Sequence, residues 1–177
     1  MKCIKALFIA AFFEASCVSC EGLFPQYYGL AIRNLSNRPI AFLIADPLNT
    51  GIHYPDTTIP PSYFFYLEDI DSLGGLDFTI GTSWKDAYQR AEIEDYLSVF
   101  IFDMDTLAKY SWEEVMKNYL IEVRYDLSWR DMIEHRGDKY PRVANICYPP
   151  DSNMKNVHMY PPFDIVQNKW GPGITPR

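Results

Sequence analysis

Tyr96-Leu97-Ser98-Val99-Phe100-Ile101-Phe102 is the stretch on which the fold turns. It holds no Gly or Pro, is rich in β-branched and aromatic residues, and lacks the alternation of a half-buried edge. Such a run reads as a central strand buried on both faces. Downstream, Ser111-Trp112-Glu113-Glu114 has the form of a capping box and predicts a short helix from Trp112 to about Asn118. Leu120 to Tyr125 then resumes as a strand. Ser128-Trp129-Arg130-Asp131 repeats the capping signature more weakly and opens a second short helix, which Gly137 is placed to end. Trp112 and Trp129 directly follow these caps, where they can pin both helices to the sheet. Val143 to Tyr148 is the last clear strand.

Upstream, Tyr28 to Asn34 and Pro39 to Ala45 are β-like runs separated by Leu35-Ser36-Asn37-Arg38, which predicts a hairpin. Residues 46 to 61 carry Pro47, Pro55, Pro60, Pro61 and Gly51, so they read as a surface loop. Ser62 to Leu67 and Leu76 to Gly81 give two more strands around a Gly74-Gly75 turn, and residues 82 to 95 fit neither pattern cleanly. Roughly seven short strands with close turn signals describe a mostly β chain. The expected fold is an antiparallel β-sandwich, immunoglobulin-like, with two short inserted helices. The alternative is an α+β open antiparallel sheet.

The first residues carry an address. Lys2 and Lys5 precede the apolar run Ala6 to Phe13, which is too short to span a bilayer as a helix and reads as the core of a secretory signal. Glu14-Ala15-Ser16-Cys17-Val18-Ser19-Cys20 follows, with small residues before each cysteine, and resembles the lipobox of exported lipoproteins. Cys20 is the preferred lipidation site, because Val18-Ser19 is the better pair before a cut and Glu21 follows; Cys17 is the alternative. This divides the chain into a signal peptide (1–19), a tether (20–27), one β-rich domain (28–162) and an irregular C-terminal tail (163–177). Cutting before Cys20 leaves Cys147 without a disulfide partner, as a buried inert thiol; a start at Cys17 would allow a Cys20 to Cys147 bridge.

The chain of 177 residues has 16 Lys and Arg against 23 Asp and Glu, and beyond residue 19 the balance is 14 against 22. An acidic surface repels phosphate backbones, so nucleic acid is set aside as a partner. Membrane attachment would come from the covalent lipid and not from a basic patch.

Tyr54-Pro55-Asp56-Thr57-Thr58-Ile59-Pro60, Leu97 to Asp103, Asp105-Thr106-Leu107, Tyr110 to Glu114, Arg124 to Ser128, Met154-Lys155 and Met159-Tyr160-Pro161-Pro162 together resemble a family of small exported lipoproteins common in Gram-negative gut bacteria, of the Bacteroides type. The resemblance implies export to the outer membrane or cell surface and one small domain. It attaches no chemistry to these motifs.

Phe100 to Leu107 also resembles the nucleophile loop of haloacid dehalogenase-type phosphatases, which would make Asp103 and Asp105 the working pair of an envelope hydrolase. The Gly of that family's Asp-x-Asp-Gly-Thr motif is missing, and too little sequence follows for the later catalytic groups. His53, His135 and His158 have no partner at ligand spacing, so no metal or cofactor is expected. Ser98 lacks the Gly-x-Ser-x-Gly elbow of a hydrolase. Asp69 with Asp71, and Glu92 with Glu94, are spaced for one strand face but lie in turn-rich segments, as solvated acids do.

Tyr63, Phe64, Phe65 and Tyr66 are the candidate binding surface: alternate members of a strand point to opposite faces, so one pair is left for an envelope protein or a glycan. Asp56-Thr57-Thr58, Asp71-Ser72-Leu73 and Asp105-Thr106-Leu107 resemble an Asp-Ser/Thr-apolar sequon for O-linked sugar, with Thr57, Ser72 and Thr106 as acceptors and Thr57 favoured by its loop. The function expected is a membrane-tethered, non-catalytic binding or interaction module. The alternatives are the hydrolase and a purely structural envelope protein.

Overall fold

A computed structural model describes residues 28–45, 50–61, 68–80, 83–134, 143–164, 167 and 169–171. Cys17, Cys20, the Tyr63–Tyr66 run, His135 and Gly137 lie outside the described residues. In chain order the elements are β1 (Tyr28–Asn34), β2 (Ile40–Ala45), β3 (Glu68–Ile70), β4 (Gly75–Ile80), α1 (Trp84–Arg90), β5 (Leu97–Asp103), α2 (Met104–Lys109), α3 (Trp112–Asn118), β6 (Val123–Leu127), α4 (Trp129–Glu134), β7 (Val143–Tyr148), β8 (His158–Tyr160), β9 (Phe163–Asp164) and β10 (Lys169–Trp170). Strand predominates, in a five-stranded antiparallel sheet of order β3-β2-β5-β6-β8, a three-stranded sheet of order β4-β1-β7 and the small β9-β10 ladder.

β5 sits at the centre of the five-stranded sheet, and every one of its residues is buried. Its alternate side chains serve two layers. Leu97, Val99 and Ile101 join Leu30 and Ile32 of β1, Phe42 of β2, Tyr125 of β6 and Ile146 of β7 in the core between the sheets. Phe100 and Phe102 face the other way, with Ala41 and Leu43, under Ile59, Val115 and Ile121. Full burial of each such large side chain contributes about 1.5–3 kcal/mol. One face of β5 therefore packs with β1 and β7 of the three-stranded sheet, and the other lies under α3 and the proline-rich loop.

The hairpin expected between β1 and β2 does not form. β1 pairs with β4 and β7, β2 with β3 and β5, and Leu35 to Pro39 carries the chain from one sheet to the other. The turn around residues 71–74 makes a second crossing, from β3 to β4. Its left-handed residue is Leu73 (φ 59°), one step before the expected Gly74-Gly75 turn. Asn34, fully buried, joins the two crossings: its side-chain amide donates to the carbonyls of Arg38 (2.7 Å), Ile70 (3.2 Å) and Asp71 (3.1 Å). Its own N–H donates to Gly74 O (2.9 Å), and its Oδ1 accepts from the Ser36 N–H (3.0 Å) and hydroxyl (2.6 Å).

The sheet pairing is not wholly antiparallel, since β7 runs parallel to β1. Parallel neighbours need a long connection, and more than a hundred residues separate this pair. Four helices appear among the described residues where two were expected. α3 carries the full capping box of Ser111 and Glu114, and at the head of α4 the Ser128 N–H donates to Asp131 Oδ2 (2.7 Å). α1 is capped by Ser83 and α2 by Asp103. Trp112 packs at a tilt against Phe102 (5.5 Å, 60°) and donates to Pro60 O (3.2 Å), while Trp129 lies against the inter-sheet core, so both tryptophans do pin their helices. Within the stretch read as an irregular tail, β9 and β10 pair, and Trp170 packs on the same core.

Candidate functional site

Two arginines organise the polar groups, one at the first crossing and one on the outer face of the five-stranded sheet. Arg38 leaves the first crossing and meets Asp103 through Nη1, Glu122 Oε2 at 2.6 Å and Tyr148 Oη at 3.0 Å through Nη2. Tyr148 in turn donates to Glu122 Oε2 (2.6 Å). Burial, then the bond to Glu122, pushes the Tyr148 hydroxyl well above its ordinary range. Asp103 is almost fully buried, and its second oxygen accepts the Asp105 N–H (2.7 Å) to cap α2. Both Asp103 oxygens are thus engaged, whereas Asp105 is exposed on the first helical turn.

On the outer face of the five-stranded sheet, Ser98, Asp126 and His158 stand in one register row across β5, β6 and β8. Ser98 donates to Asp126 Oδ1 (2.8 Å), which places the carboxylate between the hydroxyl and the imidazole. A serine relay needs the imidazole in the middle, so this row does not form one. Asp126 instead holds Arg124, with Nε to Oδ1 and Nη2 to Oδ2 both at 2.9 Å. Burial works against the charge of Arg124, but its bonds to Asp126 and Tyr119 outweigh that and raise its pKa. Arg124 Nη1 donates to Tyr119 Oη (2.7 Å), and that hydroxyl donates to Thr57 O (3.1 Å) in the proline-rich loop. Tyr119 ends α3 in a left-handed conformation (φ 51°, ψ 50°), unusual for a bulky residue. Its ring is held against Phe100 and Tyr160, and the Arg124 guanidinium lies over Tyr160 (5.6 Å).

β8 forms one edge of this sheet, and from it an aromatic strip continues outward. Tyr160 is 44% exposed. His158, also exposed, stacks on Tyr96 (5.3 Å, 13° between planes), and Tyr96 meets Tyr54 (4.8 Å, 60°). Beside them lies a groove of about 140 Å³ lined by His53, Tyr54, Ile93, Glu94, Asp95 and Tyr96. Three separate segments of chain build this strip. The expected binding surface, Tyr63 to Tyr66, lies outside the described residues. The signal for the strip was the alternation Tyr96/Ser98, Arg124/Asp126 and His158/Tyr160, which places those residues on one sheet face.

The remaining candidates are dispersed. Asp69, Asp71, Glu92 and Glu94 are exposed, and no group of three potential metal ligands exists among the described residues. Cys147 is buried with its thiol pushed up to about 12, mainly by burial and then by Asp151. Of the three possible sugar acceptors, Ser72 is exposed at the second crossing, next to Leu73 (78% exposed). Thr57 and Thr106 are half-buried, so openness favours Ser72 over the expected Thr57. No family model, curated protein or solved structure matches the chain.

Proposed function

We propose that this chain is an exported lipoprotein, acylated on Cys20 and held at the outer membrane or cell surface, where it binds a partner and performs no chemistry. The carrying observation is the aromatic strip: Tyr54, Tyr96, His158 and Tyr160 gather from separate segments at a sheet edge beside two exposed carboxylates. Exposed aromatic rings with polar rims are the usual anchors of protein and glycan recognition. The fold is read as an immunoglobulin-like sandwich with helices added to one outer face; support comes from the early crossing between sheets and from β1 pairing beside the late strand β7. Ser72 is the first-choice site for an O-linked sugar, and an intact mass of the native protein without a glycan increment removes that part.

Two measurements test the reading. Metabolic labelling with a palmitate analogue should mark the wild-type chain in the envelope fraction and not Cys20→Ala; an unlabelled protein recovered from the cytosol with Met1 attached overturns the anchoring. Capture from envelope extracts on the full chain in detergent should be lost in Tyr96→Ala and Tyr160→Ala while both keep the wild-type unfolding transition. Capture unchanged in both variants overturns the role given to the strip.

A further inference from the structure

The groove at residues 53–54 and 93–96 has a chemistry of its own. No Lys or Arg lines it, and Glu94 and Asp95 are exposed and form no ion pair among the described residues. The nearby guanidinium of Arg124 is already held by Asp126. The field over the groove is therefore set by two uncompensated carboxylates on a chain of formal charge −7, and low-dielectric walls concentrate such a field. The walls here are the half-buried rings of Tyr54 and Tyr96, and the imidazole of His158 stacks on one face of Tyr96, leaving the other side of that ring toward Tyr54 and the groove. An aromatic face attracts positive charge through its quadrupole, and it does so more strongly as the cation sheds water. Carboxylates and ring faces thus favour the same ligand charge. Phosphates, carboxylates and acidic sugars are repelled. A volume of about 140 Å³ admits one small head group and no more.

We propose that this groove binds an organic cation, through the ring faces of Tyr54 and Tyr96 and the charge of Glu94 and Asp95. The inference rests on the binding-module reading and specifies its ligand class. Two sources supply such a group: the side chain of a basic residue on a protein partner, or a free quaternary amine.

The test is a titration of the full chain in detergent, followed by the ring resonances of its tyrosines, with four probes: Nα-acetyl-lysine amide, choline, methyl glucoside and acetate. Both amines should give saturable shifts, and affinity should fall about threefold or more as added salt screens the carboxylates. The Glu94→Gln/Asp95→Asn double variant and Tyr96→Ala should each weaken binding by about tenfold. Tighter binding of the lysine amide assigns the groove to a protein side chain, and tighter binding of choline to a quaternary amine. Amines that bind no better than methyl glucoside, or a folded double variant that keeps wild-type affinity, overturn the proposal. If the amines fail while capture from envelope extracts still depends on Tyr160, only the cation inference falls and the binding module stands.

Discussion

The two ends of the β-sheets treat their polar groups in opposite ways. At the crossing end, Asn34 satisfies its amide on three carbonyls, and Arg38 gathers Asp103, Glu122 and Tyr148 from positions 65, 84 and 110 residues away. All but the Asn34–Arg38 bond join segments far apart in the chain, which is what a clamp does. Between the ends, on the outer face of the five-stranded sheet, Arg124 binds a carboxylate two residues along its own strand and a tyrosine five residues back. Beyond that local knot, Glu94 and Asp95 are left facing water beside the aromatic strip. Saturated hydrogen bonding marks the end that holds the fold, and exposed carboxylates mark the end where we propose a ligand binds.

Alkali should produce the largest effect, acting on the interior between the two ends. Burial first, with nearby carboxylates second, raises the proton affinity of Tyr88 and Tyr148, and burial dominates for Tyr125 and Cys147. The unfolded chain releases these protons earlier than the folded one. Stability is therefore full below the unfolded values and is lost as pH rises, for Cys147 between its ordinary 9.0 and about 12. Urea midpoints should fall steadily above pH 9; a flat profile contradicts this picture of the core.

Arg38→Met should cost about 3 kcal/mol, the low end for breaking a buried pair, because 31% of the arginine side chain is solvent-exposed. Asn34→Ala should follow at about 2 kcal/mol, since it strands buried carbonyls at both crossings. Equilibrium unfolding measures both, and neither variant should alter the amine titration of the folded protein; a changed titration would mean the ends are coupled. Tyr119→Phe keeps the ring between Phe100 and Tyr160 but removes the hydroxyl bridging Arg124 and Thr57, for about 1 kcal/mol. Smallest of all, Glu94→Gln with Asp95→Asn should move stability by less than about 0.5 kcal/mol while abolishing most cation affinity. A large loss of stability in this pair would erase the contrast between the ends.

What local sequence could show was local. The unbroken apolarity of β5 announced burial on both faces, and Ser111 with Glu114 announced α3 within a residue, because these signals lie inside a single element. Ser83-Trp84-Lys85-Asp86 carried a cap of the same kind, yet its helix went unread among polar neighbours. The strand runs at β1 and β2 were also legible, but Leu35-Ser36-Asn37-Arg38 suits a tight hairpin and a crossing equally. Choosing between them depends on Ile70, Asp71 and Gly74, more than thirty residues away. The aromatic strip was hidden for the same reason, since its rings become neighbours only once β8 lies beside β6.

Because the chain crosses between sheets twice at one end, β1 begins at the other, and Tyr28 emerges where the groove lies. Under the anchoring proposed above, the seven residues between Cys20 and Tyr28 reach at most about 25 Å when fully extended. The domain would then stand with its cation-seeking mouth turned down toward the lipid headgroups, and with Leu35 and Leu73 raised as its outermost greasy points. On that proposal, whatever enters the groove would be met at the bilayer surface, within arm's length of the anchor, and not out in open medium.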